Sequence, residues 1–151
     1  MTWPDDPARA QIVAAVAATS LIGTPGLLEW DRREDLGRQA WRRFSVLAEG
    51  GDLTSLTKAP AIGAGGIIYV DRTYNLTVYY EAGKHRQSLG KDSDAMTDDA
   101  ERMVGALCRM DYDTPTTGLE LLHPLSWRIS DLPNGALSLE ITLAAKVRRE
   151  L

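Results

Sequence analysis

Two alternating runs meet at Pro133-Asn134-Gly135, and that junction constrains the fold more than any other feature of the chain. Leu119, Leu121, Leu125, Trp127 and Ile129 alternate with polar residues before it. Leu137, Leu139, Ile141, Leu143 and Val147 alternate back after it. Asn-Gly between such runs is the strongest short-range hairpin signal, because a type I′ turn needs positive φ at both central residues. The sequence therefore predicts a C-terminal β-hairpin over 119–148, with all five apolar residues of its first arm on one face.

A second stretch with period two lies upstream. Ile68, Val70, Tyr74, Leu76, Val78 and Tyr80 share one face, and Tyr69, Thr73, Asn75, Thr77, Tyr79 and Glu81 share the other. This predicts a strand region over 67–81, either one long strand or two meeting at Asp71-Arg72. A polar connection over 83–93 follows.

Two segments read as helices. Asp6 before Pro7 is an N-cap followed by proline at the first helical position. A helix over 7–22 then carries Ile12, Val13, Val16 and Ala17, with Gly23, Pro25 and Gly26 beyond its end. Asp98 and Glu101 have capping-box spacing and open a helix over 98–110, on which Ala100, Met103, Val104, Leu107 and Cys108 form one stripe.

Two other segments are less regular. Residues 30–44 combine capping-box spacing at Asp31 and Glu34 with Leu36, Ala40 and Phe44 four residues apart. They read as a short helix leading into a strand over 43–48, interrupted by Gly37. Residues 49–66 hold five glycines at 50, 51, 63, 65 and 66 and no aromatic residue. They read as a long loop, usually a functional or mobile element in a compact domain. The order is helix, strand, long loop, strand, helix, strand, strand. That is an α+β fold in a single domain over 1–151: a mixed, mostly antiparallel sheet flanked by two to three helices.

Composition then narrows the function. A chain of 151 residues can bury about 68–70% of its unfolded surface without a metal or disulfide staple. Hydrophobic residues make up 44%, charged residues 25%, and net charge is −4, which argues against nucleic-acid binding driven by charge. The single cysteine, Cys108, excludes an internal disulfide and any multi-cysteine metal site; its apolar neighbours suggest a buried, inert thiol. The acidic N-terminal stretch has no basic region ahead of an apolar run, and residues 12–22 are too short to span a bilayer. The expectation is a chain made and kept in a reducing cytoplasm, with no membrane partner.

Candidate chemistry is thin. Of the two histidines, His85 lies in the polar connection, and His123 has the parity of the apolar face just before Pro124. Neither has a local nucleophile or orienting carboxylate, so catalytic and metal-ligating residues are expected to be none. Gly63-Ala64-Gly65-Gly66 precedes a strand, whereas phosphate-binding glycines follow a strand and open a helix, so no cofactor is expected. Asp92-Ser93-Asp94 and Asp111-Tyr112-Asp113 lack the longer ligand run of a calcium loop and read as solvated helix ends.

The most informative cluster is residues 30–43, which hold five of the thirteen arginines and two of the four tryptophans. Three readings are open: a solvated helix face with a Glu34–Arg38 pair, a protein interface, or a nucleic-acid groove. Trp and Arg are enriched at interface hot spots, while Asp31, Glu34 and Asp35 would repel phosphates. Trp30, Arg32, Arg38, Trp41 and Arg42 are the candidate interface residues. Tyr69 and Tyr79, on the polar strand face, join them, either as cross-strand pairs or as a subunit contact.

The element order and the stretch His123-Pro124-Leu125-Ser126-Trp127 through Asn134-Gly135 to Leu143 resemble the tail-terminator and neck (tail-completion) proteins of long-tailed bacteriophages. The resemblance covers residues 7–22 and 67–148 and is a pattern of elements, with no catalytic or ligand motif. The helical look of 30–44 departs from it and leaves the pairing of the first strand open. It implies a virion structural protein of the tail or neck, assembled in the host cytoplasm. It further implies a homo-oligomeric ring, a hexamer, that caps the tail tube. The tail tube protein and the head-connector protein would be its partners. Genome DNA would pass through the lumen without sequence-specific contact, and the ring would close head to tail. Two other classes fit the composition: a small cytoplasmic protein-binding module of chaperone or immunity type, and a small enzyme with its site spread over distant loops.

Overall fold

The computed structural model describes residues 6–19, 28–29, 43–52, 67–80, 89–132 and 137–150. Its elements are α1 (Pro7–Ala17), β1 (Leu28–Glu29), β2 (Arg43–Asp52), β3 (Ile67–Tyr80), α2 (Leu89–Arg109), α3 (Thr114–Thr117), β4 (Leu119–Asp131) and β5 (Leu137–Glu150). The strands form one five-stranded sheet in the order β1-β2-β3-β5-β4. Only the two-residue β1 is parallel to its neighbour; every other pairing is antiparallel. This is the α+β architecture expected, a mostly antiparallel sheet with helices against it.

Strand β3 is one continuous strand at the centre, paired along its whole length with β5 from Ile67↔Glu150 to Tyr80↔Leu137. Its period of two sorts the side chains as the sequence implies. Tyr74, Leu76, Val78 and Tyr80 enter a core cluster with Phe44 and Val46 of β2 and with Leu137, Leu139, Ile141, Leu143, Ala145 and Val147 of β5. Ala8, Ile12 and Val16 of α1 and Met96, Ala100, Met103 and Leu107 of α2 close that cluster. Both helices therefore lie on one face of the sheet. Each fully buried Leu or Ile in this layer contributes about 1.5–3 kcal/mol of transfer free energy.

Helix α1 begins where the sequence places it. The Asp6 side chain accepts from the Ala8 amide at 3.1 Å, and Pro7 takes the first turn, where no donor is needed. It ends at Ala17, short of the expected 22, where the Thr19 amide and hydroxyl bond back to Val16 and Ala15. Ala17 is exposed and Ala8 takes its expected place in the core.

Several expectations need correction. β2 runs on through Gly50 and Gly51, which pair with Thr73 and Arg72 past a bulge at 49, so the loop expected over 49–66 loses its first four residues; 53–66 lie outside the described residues. The register keeps Gly51 close to Val70 and the Asp71 carbonyl, both 3.3 Å from where a Cβ would stand. Phe44, which closes the four-residue spacing and also falls in the strand expected over 43–48, is a buried strand residue. α2 starts at Leu89, nine residues before the expected start, so Asp98 is not its cap. Asp98 pairs with Arg102 one turn on at 2.7 Å, and Asp99 is buried with its Oδ2 accepting from Tyr80 at 2.9 Å. Asp92, Ser93 and Asp94 are helical rather than loop residues.

Strand β4 departs furthest from the simple alternation. Register shifts at 120 and 125 flip its parity twice, so Leu119, Leu122, Pro124, Trp127 and Ile129 share the helix-bearing side while Leu121, His123, Ser126 and Arg128 share the other. A β-bulge puts one extra residue on one strand, which turns every later side chain over. Pro133-Asn134-Gly135 lies outside the described residues, but the pairing of β4 with β5 down to Asp131↔Leu137 makes the C-terminal hairpin antiparallel and in register.

Candidate functional site

β4 is an edge strand of the sheet, and the bulges decide what it presents. Leu121 is 53% exposed, Leu125 58% and Trp127 40%; these are the large apolar side chains exposed among the described residues. Leu121 is turned over by the first bulge, Leu125 sits at the second, and Trp127 projects on the helix-bearing side at the edge. The same bulges, with Pro124 and its missing N–H between them, make this edge irregular between residues 120 and 125. That protects it against strand addition while leaving the apolar side chains exposed. Contacts through these side chains, rather than continuation of the sheet, are what this edge can offer.

Behind the edge, the sheet face opposite the helices carries one transverse row, Gly50, Thr73, Ala144 and His123, each register partner of the next, in which the first three are small. The row floors an open trough of about 570 Å³ that Leu121 and Lys146 help to line. Lys146 lies 5.4 Å from the centre of the Tyr69 ring, a cation–π distance. Toward the other end of the same face Ser45, Thr77, Tyr79 and Ser138 are buried.

At the trough's end of the molecule, on the helix side, a cleft of about 430 Å³ lies between the start of α1, the 113–118 turn and the end of β5. Asp6, Arg72, Thr114, Thr117, Arg148 and Arg149 line it. The turn is fixed by Gly118, whose φ of 77° belongs to the left-handed region and whose carbonyl accepts from the Arg148 amide at 2.7 Å. A Cβ there would stand 2.2 Å from the Arg148 carbonyl oxygen, so only glycine fits. Gln11 ties the turn to α1, donating to the Asp111 carbonyl at 2.6 Å and accepting from the Thr117 hydroxyl at 2.7 Å.

A polar lock closes the floor of this cleft. The Tyr74 hydroxyl donates to Asp6 Oδ2 at 2.6 Å and accepts from Arg72 Nη1 at 2.9 Å, while Arg72 also reaches Asp6 at 3.0 Å. Burial, reinforced by the hydrogen bond to Asp6, pushes the Tyr74 phenol up to about 12. Burial pulls on Arg72 in the opposite direction, but the hydrogen bond to Tyr74 and the charge of Asp6 outweigh it and hold the guanidinium above its ordinary value. The lock joins the α1 cap to the central strand.

The sequence-predicted candidates fall as follows. Trp30, Arg32, Arg38, Trp41 and Arg42 lie outside the described residues. Tyr69 is half-buried beside Lys146, and Tyr79 is 5% exposed, so its ring belongs to the subunit's interior and not to a contact surface. His123 is exposed on the trough face, opposite to its expected parity, because of the first bulge. His85 lies outside the described residues. Cys108 is exposed, not buried, since it falls one position past the edge of the Met103–Leu107 stripe. Among the described residues no group of three or more His, Cys, Asp or Glu is placed to hold a metal ion. No helix among them is long and apolar enough to cross a membrane. Sequence reasoning missed the exposed apolar side chains on β4 because it treated the alternation there as a single apolar face; Pro124 within the run was the signal of an irregular edge.

No protein-family model and no curated protein matches the chain. Among solved structures, it is similar to a chain of "Virion of native gene transfer agent (GTA) particle", at 14% identity and a TM-score of 0.47, over 93% of this chain and 94% of that one.

Proposed function

We propose that this chain is a non-enzymatic structural subunit of a virion, of the tail-terminator or neck type. In this reading it forms a closed homo-oligomeric ring of six that caps the tail tube and joins it to the head connector. The observation that carries the proposal is that three large apolar side chains, Leu121, Leu125 and Trp127, are exposed on both faces of one edge strand whose backbone is blunted against strand addition. Large apolar side chains grouped at one edge mark a protein contact more than a solvated surface. The resemblance of residues 7–22 and 67–148 to tail-terminator and neck proteins supports the ring and tail reading, and the Trp30, Arg32, Arg38, Trp41 and Arg42 segment is proposed as a further part of the contact. DNA passes through the lumen without sequence-specific contact, which suits a chain of net charge −4.

The test is light scattering of the purified chain over a wide concentration range, with Leu121→Ser/Leu125→Ser alongside. The reading expects a discrete oligomer for the wild type and a shift toward monomer for the double variant, with unchanged melting temperature because both side chains are solvated in the subunit. A monomer that forms a tight one-to-one complex with another protein would replace the ring by the binding-module reading.

A further inference from the structure

Helix α1 is held to the rest of the subunit by few apolar side chains and several polar ones. Its 11 residues place Ala8, Ile12 and Val16 in the core cluster, while strands β2 to β5 supply most of the rest. The polar ties leave its first half and reach three different elements. Asp6 joins Tyr74 and Arg72 of β3 through the lock. Arg9 Nε donates to the Val46 carbonyl of β2 at 2.5 Å. Gln11 holds the turn after α2: it donates to the Asp111 carbonyl at 2.6 Å and accepts from the Thr117 hydroxyl at 2.7 Å and the Asp113 amide at 3.4 Å. From Ile12 to Ala17 the helix has no polar side chain, so its second half adds no such tie.

Two properties set how α1 parts from the sheet. An isolated helix shorter than about 12–15 residues is marginal in water, so α1 does not survive on its own. Once it leaves, its internal hydrogen bonds break and its amides meet solvent. The sheet, by contrast, does not depend on α1. β3 is paired on both sides, with β2 and with β5, and α2 keeps Met96, Ala100, Met103 and Leu107 in the core on the same face. Elements with few buried apolar contacts and solvent-exposed hydrogen bonds open at lower free energy than core strands. The Gln11–Asp111 bond is of that exposed kind.

We propose that α1 is a latch, which opens and recloses as a unit while β2 to β5 and α2 stay folded. What it uncovers is apolar. Phe44 and Val46 lie on the core side of β2, the strand to which Arg9 is tied, and both are fully buried while α1 is closed. The subunit thus covers an apolar face with an element that it can release. Each polar tie exists in the closed state and is absent from the open one, so losing any of them shifts the population toward opening. The inference concerns one subunit and does not depend on the ring reading.

Native-state hydrogen exchange of the intact chain, read residue by residue, tests it. The amides from Ala10 to Ala17 should be at least about a hundredfold less protected than those at the centre of β3 and β5. Two variants then separate a local opening from a global one. Ile141→Val trims a fully buried side chain of β5, two strands away from β2, whose packing the open state retains. It should lower the protection of β3 and β5 by about two- to tenfold and leave that of α1 unchanged. Gln11→Ala removes a tie that is lost in the local and the global opening alike, so it should lower the protection of α1 and of the sheet by the same factor. If α1 is as protected as β3 and falls with it in Ile141→Val, the helix opens only with the whole domain and the proposal is overturned. Amides of α1 with no protection in the wild type overturn it too, since the ties would then hold nothing closed.

Discussion

Substituting Tyr74 with phenylalanine should leave the core intact and remove one hydroxyl from the centre of the Asp6–Tyr74–Arg72 lock. The ring is 0% exposed, so its packing is retained while two hydrogen bonds, of 2.6 and 2.9 Å, disappear. Hydrogen bonds to charged partners contribute about 1.5–3 kcal/mol each. Asp6 and Arg72 still hold each other at 3.0 Å, which puts the expected cost near the low end, about 1.5 kcal/mol at pH 8. The pH dependence is more diagnostic. Burial first, and the bond to Asp6 second, raise the phenol from 10.0 to about 12, so the folded state holds this proton more tightly than the unfolded chain does. Its contribution is complete below pH 10 and is lost as pH rises from 10 to about 12. A gap of that size corresponds to at most about 3 kcal/mol, and solvent screening through the open cleft that Asp6 and Arg72 line trims it to about 2 kcal/mol. The phenylalanine variant has no phenol to ionise and no such loss. Urea unfolding of both proteins from pH 8 to 11.5 should show the wild type more stable at pH 8 and the two curves drawing together and crossing above pH 11. Absorbance at 295 nm should show a late-ionising component in the wild type, the Tyr74 phenol, that is absent from the phenylalanine variant. Parallel curves, or a tyrosine set that titrates together near pH 10, would refute the lock.

Three further outcomes are expected. Gly118→Ala forces a left-handed residue to carry a Cβ 2.2 Å from the Arg148 carbonyl oxygen, and should cost at least about 2 kcal/mol, read as a melting temperature lower by several degrees. Met103→Ala empties a fully buried site at the α2–sheet contact and should cost about 2–5 kcal/mol by denaturant unfolding. Arg38→Ala/Arg42→Ala should weaken assembly with no change in melting temperature, whereas normal assembly with lost salt-sensitive binding to duplex DNA would favour a nucleic-acid role for that segment.

How much of this was legible in the sequence follows from what sets each element. The α1 cap was legible because Asp6 and Pro7 act within three residues of themselves. β3 and β5 were legible because both faces of a long central strand obey the period of two without interruption. β4 was not, because a bulge depends on how a strand meets its neighbour: Pro124 marked trouble, but nothing local says that residues 120 and 125 are the extra ones. The start of α2 was missed for a related reason. Asp98 and Glu101 have the spacing of a cap, yet inside a longer helix that spacing pairs Asp98 with Arg102 and leaves Asp99 to meet Tyr80, nineteen residues earlier. Parity puts Tyr69 and Tyr79 on one face, and only the tertiary surroundings bury the second. The Asp6–Tyr74–Arg72 lock was invisible in sequence because Asp6 and Tyr74 stand 68 residues apart and meet only through the fold.

Electron microscopy of the purified protein, alone and mixed with tail tubes, decides whether the chain works as the proposed closed ring. The expected class averages show a ring with a central lumen, with a mass in the same sample of six times the 16.6 kDa subunit. Isolated 16.6 kDa particles at every concentration, with and without tubes, would contradict it.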